Sequence, residues 1–565
     1  MGRATSIAVR RRAATRRHFL QRAGGAAIAL GTMPWLSACG GHHDDDPVPV
    51  PDSGGVFRHG VASGDPWSDR VILWTRVSTP AAGAVAVECV VAADVAMTAV
   101  VSHTSASADA SSDYTVKLDV TGLQPNTTYY YRFSAAGAMS PIGRTRTLPA
   151  TGTVAPRLRM AVVSCANLAH GFFNAYRRVA ERADLDLVLH LGDYIYEYAR
   201  DSGDLRLHEP TGETVTLADY RTRYAEYHRD PDLQELHRQH PVIAIWDDHD
   251  IASNANATGS QNHTESVEGT WAARVAAAVQ ARNEWLPVRV ADPADPRRDY
   301  RGFRYGDLAE ITMLEERLLA RSPQLPTNTS IPNVFTQSGA FTDPSREVLG
   351  STQLGWLADR LRTSSAKWKL IGQGVMVAQL KIVPAANSDG GGRFINPDQW
   401  DGYQPARDRL FDAIKASALA PAPGNVVVLT GDAHSSWAAD LTQDPNNSDV
   451  TSGGYDPGTG AGASAVEFVT TSVSSAPFLD LGGLAASTLQ VINPHFKYIE
   501  LTKRGYMLVD ADATRVVSEW WYVDSVATST SGQAFGAAFQ VLDGTAHVVP
   551  AGVTSPRPNP PAPAP

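Results

Sequence analysis

Four short apolar runs, each ending abruptly in a cluster of ligand-type side chains, constrain this chain more than any other feature. Leu158–Val163 leads into Ser164-Cys165-Ala166-Asn167, and residues 185–191 lead into Gly192-Asp193-Tyr194-Ile195-Tyr196. Residues 242–246 lead into Asp247-Asp248-His249-Asp250, and Val426–Thr430 into Gly431-Asp432-Ala433-His434. Continuous apolar runs of this length, separated by amphipathic helical stretches, read as buried strands of an α/β fold. Sites in such folds lie beyond the carboxyl ends of the strands, so four such ends can converge on one crevice. Another apolar run, 368–372, ends at Gln373.

The 565 residues leave room for two or three domains and a large core. Over 56–148, short alternating segments such as Val71-Ile72-Leu73-Trp74 and Thr115-Val116-Lys117-Leu118 are broken by turn residues, the pattern of an all-β module. The stretch Val120-Thr121-Gly122-Leu123-Gln124-Pro125-Asn126-Thr127-Thr128-Tyr129-Tyr130-Tyr131-Arg132 resembles the turn and strand of a fibronectin-III-like sandwich, and its tyrosines read as core and corner packing. A Thr/Pro/Ala-rich link over 147–156 precedes a second domain over 157–525, whose later strands complete a second sheet. Residues 526–565, ending in Pro556-Arg557-Pro558-Asn559-Pro560-Pro561-Ala562-Pro563-Ala564-Pro565, are expected to be a partly disordered tail.

The amino terminus reads as an address. Thr15-Arg16-Arg17-His18-Phe19-Leu20 precedes a short apolar run over 26–36 and resembles a twin-arginine export signal, which makes the twin-arginine machinery an expected partner. The run ends in Leu36-Ser37-Ala38-Cys39, which resembles a lipobox, so residues 1–39 form the signal, Cys39 is a candidate lipid anchor and 40–55 a flexible linker. An exported, periplasmic, secreted or envelope-anchored protein is therefore expected. The formal charge is −10; without the seven arginines of residues 1–39, 42 basic residues face 59 acidic ones. So acidic a chain lacks the basic face that nucleic-acid binding needs, and acting on phosphate esters would require bound cations. Of the three cysteines, Cys89 lies in an alternating run and reads as core, whereas Cys165 calls for another explanation.

Asp193, after a tight glycine turn, is placed to bridge two cations, and Tyr196 can present a phenolate to a hard ion. Asp432 and His434, two residues apart, can face different metals, with Asp248 on the second. Two close cations clamp the attacking and leaving oxygens of an in-line displacement and lower the pKa of bound water. His249, backed by Asp247 or Asp250, is then a candidate general acid or phosphate donor. Each motif alone has a plainer reading, as a turn, a helix cap or a packed histidine; their joint occurrence at four strand ends does not. Ligand types alone suit iron or zinc on the thiolate side and calcium, manganese or magnesium on the oxygen-rich side.

These strand ends resemble those of the PhoD-type alkaline phosphatases and phosphodiesterases, whose metal core is similar to that of purple acid phosphatases. The resemblance extends to Phe57-Arg58-His59-Gly60-Val61-Ala62-Ser63-Gly64-Asp65-Pro66, Asp230-Pro231-Asp232-Leu233-Gln234, Gln399-Trp400-Asp401-Gly402-Tyr403 and Asn493-Pro494-His495. It implies an α/β fold, a two-sheet metallophosphatase sandwich flanked by helices behind the small all-β domain. It also implies an Fe3+ site of Cys165, Asp193, Tyr196 and His434, with Asp193 bridging to Ca2+ held by Asp248 and Asp432. Gln373 falls near another second-metal ligand, while His249, Asp250 and Arg317 fall on the catalytic side, Arg317 orienting a carboxylate or phosphate. The sequence departs from the family pattern at Asp250, Ser253-Asn254 and Glu315.

The expected activity is that of an exported metal-dependent alkaline phosphatase acting on phosphate monoesters, and possible on diesters, by direct attack of water, since no nucleophile motif stands beside the ligands. The alternatives are a phosphodiesterase or phospholipase D-like hydrolase, and an inert surface-binding protein in which the β module recognises a polymer. The chain is expected to act as a monomer.

Overall fold

The computed structural model describes residues 54–79, 83–477 and 485–565; the export signal, Cys39 and nearly all of the expected linker lie outside them. Two large sheets pack face to face. The first has ten strands, ordered Val548–Pro550, Gln533–Leu542, Arg515–Val523, Gly505–Ala511, Leu158–Val163, Leu187–Leu191, Pro241–Ile245, Val61–Gly64, Arg70–Arg76 and Thr115–Thr121. The second has seven, ordered Arg301–Tyr305, Ala309–Met313, Trp368–Gln373, Val426–Thr430, Ala465–Val469, Ser436–Leu441 and Phe496–Glu500.

The apolar runs are continuous because both faces of these strands are covered. In Leu158–Val163, the side chains of Leu158, Met160 and Val162 enter the core between the sheets, while Ala161 and Val163 face the outer core under the helices. The same alternation sends Leu187, Leu189 and Leu191 inward and Val188 outward. Val427 and Leu429 of the second sheet meet the inner core, and Val426 and Val428 pack outward with helices Gly350–Thr363 and Gln404–Lys415. Helices Leu217–Tyr227, Pro231–Gln239 and Trp271–Trp285 cover the first sheet through Tyr220, Tyr224, Leu233, Leu236 and Trp285. The result is the expected helix-flanked two-sheet sandwich.

The strands Leu158–Val163, Leu187–Leu191 and Pro241–Ile245 are mutually parallel, so their carboxyl ends leave the sheet on one edge. The two sheets meet at that edge. A Cβ on Gly431 would lie 2.7 Å from the carbonyl oxygen of Leu191, so the loop after Val426–Thr430 closes on the first sheet only because residue 431 is glycine.

The amino-terminal region differs from the expected module in one respect. Val85–Ala92, Val100–Ala108, Thr128–Ala135, Ala138–Met139 and Gly143–Arg146 form a separate five-stranded sheet. Its partner layer is the rim of the ten-stranded sheet itself, because Val61–Gly64 pairs parallel with Pro241–Ile245. One core joins Leu73, Val116, Cys89, Tyr129, Tyr131 and Phe133 across that sandwich. Cys89 is buried and unpaired, and Tyr129 Oη accepts the Gln124 amide at 2.9 Å, a corner contact.

The expected disorder of 526–565 is corrected by the structure. Gln533–Leu542 and Val548–Pro550 extend the ten-stranded sheet. The proline-rich end is then held by buried charges that need partners. Arg557 Nη2 donates to Asp186 at 2.5 Å, Arg159 Nη1 donates to the Ser555 carbonyl at 2.6 Å, and Gln239 makes two 2.9 Å bonds to the Ala564 backbone. Among the described residues, no helix is long and apolar enough to cross a membrane.

Candidate metal centre

The strand ends turn sharply. Cys165, Asp193, Asp432 and His434 have φ of 60°, 54°, 47° and 51°, the left-handed region that side chains other than glycine seldom occupy. Such residues cost about 1–3 kcal/mol each and persist where the surroundings over-determine them. Here the loops hold one another. Cys165 N donates to Gly192 O at 3.2 Å and Ala166 N to Asp193 O at 3.0 Å. A Cβ on Gly192, itself at φ +90°, would lie 2.4 Å from the Asp247 Cβ.

The carboxylate of Asp250 ties the second and third strand ends together. It accepts the backbone N–H of Asp193 at 2.8 Å, of Tyr194 at 3.1 Å, of Ile195 at 3.3 Å and of Asp247 at 2.9 Å. These bonds occupy both its oxygens, so Asp250 is a positioning residue and neither a catalytic carboxylate nor the partner of His249. Burial pushes its carboxyl up to about 6, with the Asp247 amide bond opposing.

Three groups of ligand atoms converge, each with its members within 4.8 Å of one another: Cys165, Asp193 and His434; Asp193, Asp248 and His249; Asp247, Asp248 and Asp432. Tyr196 joins the first, its Oη donating to Asp193 Oδ2 at 2.7 Å and lying 3.1 Å from His434 Nε2. Ser475 Oγ donates to the same phenol oxygen at 2.7 Å. His434 Nδ1 is 2.8 Å from the Ala476 carbonyl, which fixes the tautomer and leaves Nε2 as the lone-pair nitrogen facing the group. Asp193 is shared between the thiol-bearing group and the carboxylate side.

The electrostatics call for cations. Burial pushes the Cys165 thiol well up, with Asp193 and Asp432 adding to the shift, and does the same to the Tyr196 phenol. Burial also raises the carboxyls of Asp193 and Asp247, which repel Asp248 and Asp432. Asp247 Oδ2 is buried without a hydrogen-bond partner. A thiol, a phenol, an imidazole and four carboxyls at such spacing ionise together only around bound positive charge, so the donor set fits two metal ions, one on the thiol side and one on the oxygen-rich side.

His249 stands beside both lobes. Its ring stacks on Tyr196 with centroids 4.4 Å apart, and its Nε2 is 3.8 Å from Asp248 Oδ2. Burial alone would lower its pKa, but Tyr198, Asp248, Glu197 and Asp193 outweigh it and raise the imidazole well above its usual value. Its Nδ1 lies 2.8 Å from Glu197 Oε2. Glu197 was not a sequence candidate, and neither was Asp247 as a ligand. The signal for each was adjacency, Glu197 directly following Tyr196 and Asp247 opening the acidic tetrad.

Arg317 orients carboxylates. Nε donates to Asp247 Oδ1, Nη2 to Asp248 Oδ1 at 3.4 Å and Nη1 to Asp398 Oδ2 at 2.8 Å. Glu315 caps this turn, accepting Arg317 N at 2.8 Å and Trp246 Nε1 at 3.0 Å. Asn254 gives its backbone N–H to Asp248 Oδ2 at 2.6 Å and its carboxamide N–H groups to Gln261 and Gln324. The Gln373 amide donates to Thr430 Oγ1 at 2.6 Å and its Oε1 accepts Trp400 Nε1 at 3.0 Å, bonds that brace it against the neighbouring strand.

The family model described as PhoD-like phosphatase matches residues 160–520, and that of the PhoD-like phosphatase N-terminal domain matches residues 47–149. Alkaline phosphatase D of Bacillus subtilis (strain 168) is 36% identical over 514 residues, covering 87% of this chain and 81% of that protein. The solved structure titled "Structure of PhoD" superposes with a TM-score of 0.78 at 31% identity, over 90% of this chain and 94% of that one. The chain belongs to the PhoD-like phosphatase family and is, by that membership, a phosphoesterase.

Proposed function

We propose that this chain is an exported two-ion alkaline phosphatase that hydrolyses phosphate monoesters by direct attack of water. The observation that carries this reading is the position of Asp193, common to a thiol-bearing and a carboxylate-bearing ligand group, with His249 alongside. Cys165, Asp193, Tyr196 and His434 would hold one ion and Asp193, Asp247, Asp248 and Asp432 the other. By resemblance to the family these are Fe3+ and Ca2+. When bound, the ions supply Lewis-acid activation of the attacking water and neutralise the charge of the ester.

The chain's own residues supply the rest. His249, oriented by Glu197, holds on Nε2 a proton for the leaving oxygen, a contribution of about 10²–10⁴ in rate. Arg317 keeps Asp247 and Asp248 turned toward the crevice. Asp250 keeps the Asp193 and Asp247 loops in register.

Replacement of Asp193 by Asn, with folding intact, is expected to abolish hydrolysis of a monoester such as p-nitrophenyl phosphate; full activity in that variant refutes the reading. Elemental analysis of protein purified without chelator is expected to give iron and calcium. Rates on a monoester against a diester decide between phosphatase and phosphodiesterase. Export by the twin-arginine route and lipidation at Cys39 are part of the proposal. Cell fractionation of Arg16→Lys with Arg17→Lys and of Cys39→Ala, with retention in the cytoplasm and loss of membrane attachment as the expected results, tests them.

A further inference from the structure

One turn reaches all three oxygen-rich carboxylates, Asp432 directly and Asp247 and Asp248 through Arg317. Residues 396–403, Asn396-Pro397-Asp398-Gln399-Trp400-Asp401-Gly402-Tyr403, fold back so tightly that a Cβ on Gly402 would lie 1.9 Å from the Pro397 carbonyl oxygen. Asp398, Gln399, Trp400, Asp401 and Tyr403 are all buried, and Tyr403 Oη anchors the turn to the Ser322 carbonyl at 3.0 Å.

Two adjacent side chains of this turn reach the three carboxylates of the oxygen-rich group. Gln399 accepts the Met376 N–H on Oε1 and donates from Nε2 to Asp432 Oδ2. Its amide is therefore fixed end to end, and its donor edge sets the rotation of the Asp432 carboxylate. Asp398 acts through Arg317, which it binds at 2.8 Å and which in turn holds Asp247 and Asp248. A second buried arginine, Arg321, donates to Asp398 Oδ1 at 2.9 Å and fixes that carboxylate in place.

The thiol-bearing group is braced by other residues. Ser164 lies 3.3 Å from Cys165 Sγ, Ser475 bonds Tyr196, and the Ala476 carbonyl holds His434. The side-chain braces of the two lobes are thus different residues, although the lobes share Asp193 and the loops that Asp250 ties together.

We propose that the 396–403 turn is a bracket for the oxygen-rich ion position, with Gln399 and Asp398 as positioning residues that set its affinity without setting that of the thiol-bearing position. This rests on the two-ion reading above. Each acts by fixing the orientation of groups in the oxygen-rich cluster, Gln399 that of Asp432 and Asp398 that of Arg317. Outer partners of this kind are worth about 10–100-fold in metal affinity.

The test uses the full chain, stripped with chelator, reloaded with one equivalent of iron and titrated with calcium chloride, in the wild type, Gln399→Met and Asp398→Asn. Methionine retains the length of glutamine without its donor, and asparagine retains an acceptor for Arg317 without the charge. Both variants are expected to bind calcium about 10–100-fold more weakly while holding iron at one equivalent with an unchanged visible phenolate-to-iron absorption. Their activity is expected to fall at limiting calcium and to recover at saturating calcium. Equal weakening of both ions, unchanged calcium affinity in both variants, or a loss that calcium does not restore overturns the bracket. If one variant fails to fold, the other decides by the same readings. A wild-type protein that binds only one ion overturns the two-ion reading itself, and the bracket with it.

Discussion

The Nδ1 of His249 lies 2.8 Å from a carboxylate oxygen of Glu197, a residue whose other oxygen accepts the Ser253 amide and the Asn262 carboxamide, both at 2.8 Å. With both oxygens of Glu197 engaged and the ring stacked on Tyr196, the imidazole has one orientation, and its Nε2 lies on the Asp248 side, 3.8 Å from Oδ2.

Replacing Glu197 by Gln turns an amide donor toward donors and releases that ring. The expected result is a kcat lower by about 10–100-fold on an alkyl phosphate, with a smaller loss on p-nitrophenyl phosphate, whose leaving group needs no proton. Equal losses on both substrates would remove His249 from leaving-group protonation.

Arg317 is fully buried among Asp247, Asp248 and Asp398. Its replacement by Met removes the counter-charge of Asp247 and Asp248, while Asp398 keeps Arg321, and the metal-free protein is expected to be less stable by about 3–5 kcal/mol. Urea unfolding with and without calcium is the measurement. Calcium is expected to narrow the deficit, because it neutralises two of the same carboxylates; an unchanged deficit argues that they do not face an ion.

His240 Nδ1 accepts from Arg144 Nη2 at 3.4 Å and its Nε2 is 3.2 Å from the Val179 carbonyl, a pairing that only the neutral ring satisfies. Burial, helped by Arg144, lowers its pKa to about 3. A histidine depressed in the folded state contributes stability above its unfolded pKa of about 6.5 and loses it as pH falls toward the folded value. Relative to His240→Gln, the wild type is therefore expected to lose about 1.4 kcal/mol per pH unit below about pH 6, read by urea unfolding between pH 7 and pH 5. A pH-independent difference would show that His240 titrates in the fold with its unfolded pKa.

Removal of residues 554–565 takes Arg557 from Asp186 and the Ser555 carbonyl from Arg159, both buried partners. The truncated protein is expected to lose about 3–5 kcal/mol of stability and to retain the metal stoichiometry of the full chain, since the tail binds at the starts of the strands and the ligands sit at their ends. Loss of metal together with the tail would show that the strands transmit the damage.

The chain order of apolar runs and ligand clusters determined the α/β sandwich, the shared crevice and most of the candidate ligand groups. A run buried on both faces has a recognisable composition, and a strand end is where its side chains stop being core. The β character of residues 56–148 was equally legible, since alternation is local. Only the tertiary structure decided that one face of that module is the edge of the ten-stranded sheet, because pairing between Val61–Gly64 and Pro241–Ile245 joins residues 178 apart, Ser63 with Pro241 and Gly64 with Val242, and leaves no local trace. It also separated ligand from support within Asp247-Asp248-His249-Asp250. Four consecutive polar residues look alike in sequence, and their roles depend on which way the loop's dihedrals aim each side chain, toward backbone amides for Asp250 and toward the crevice for Asp248. Gln373 and the proline-rich tail follow the same logic. An amide or a proline run is polar and unstructured by composition, and becomes part of the fold only where buried partners such as Trp400, Asp186 and Arg159 wait for it.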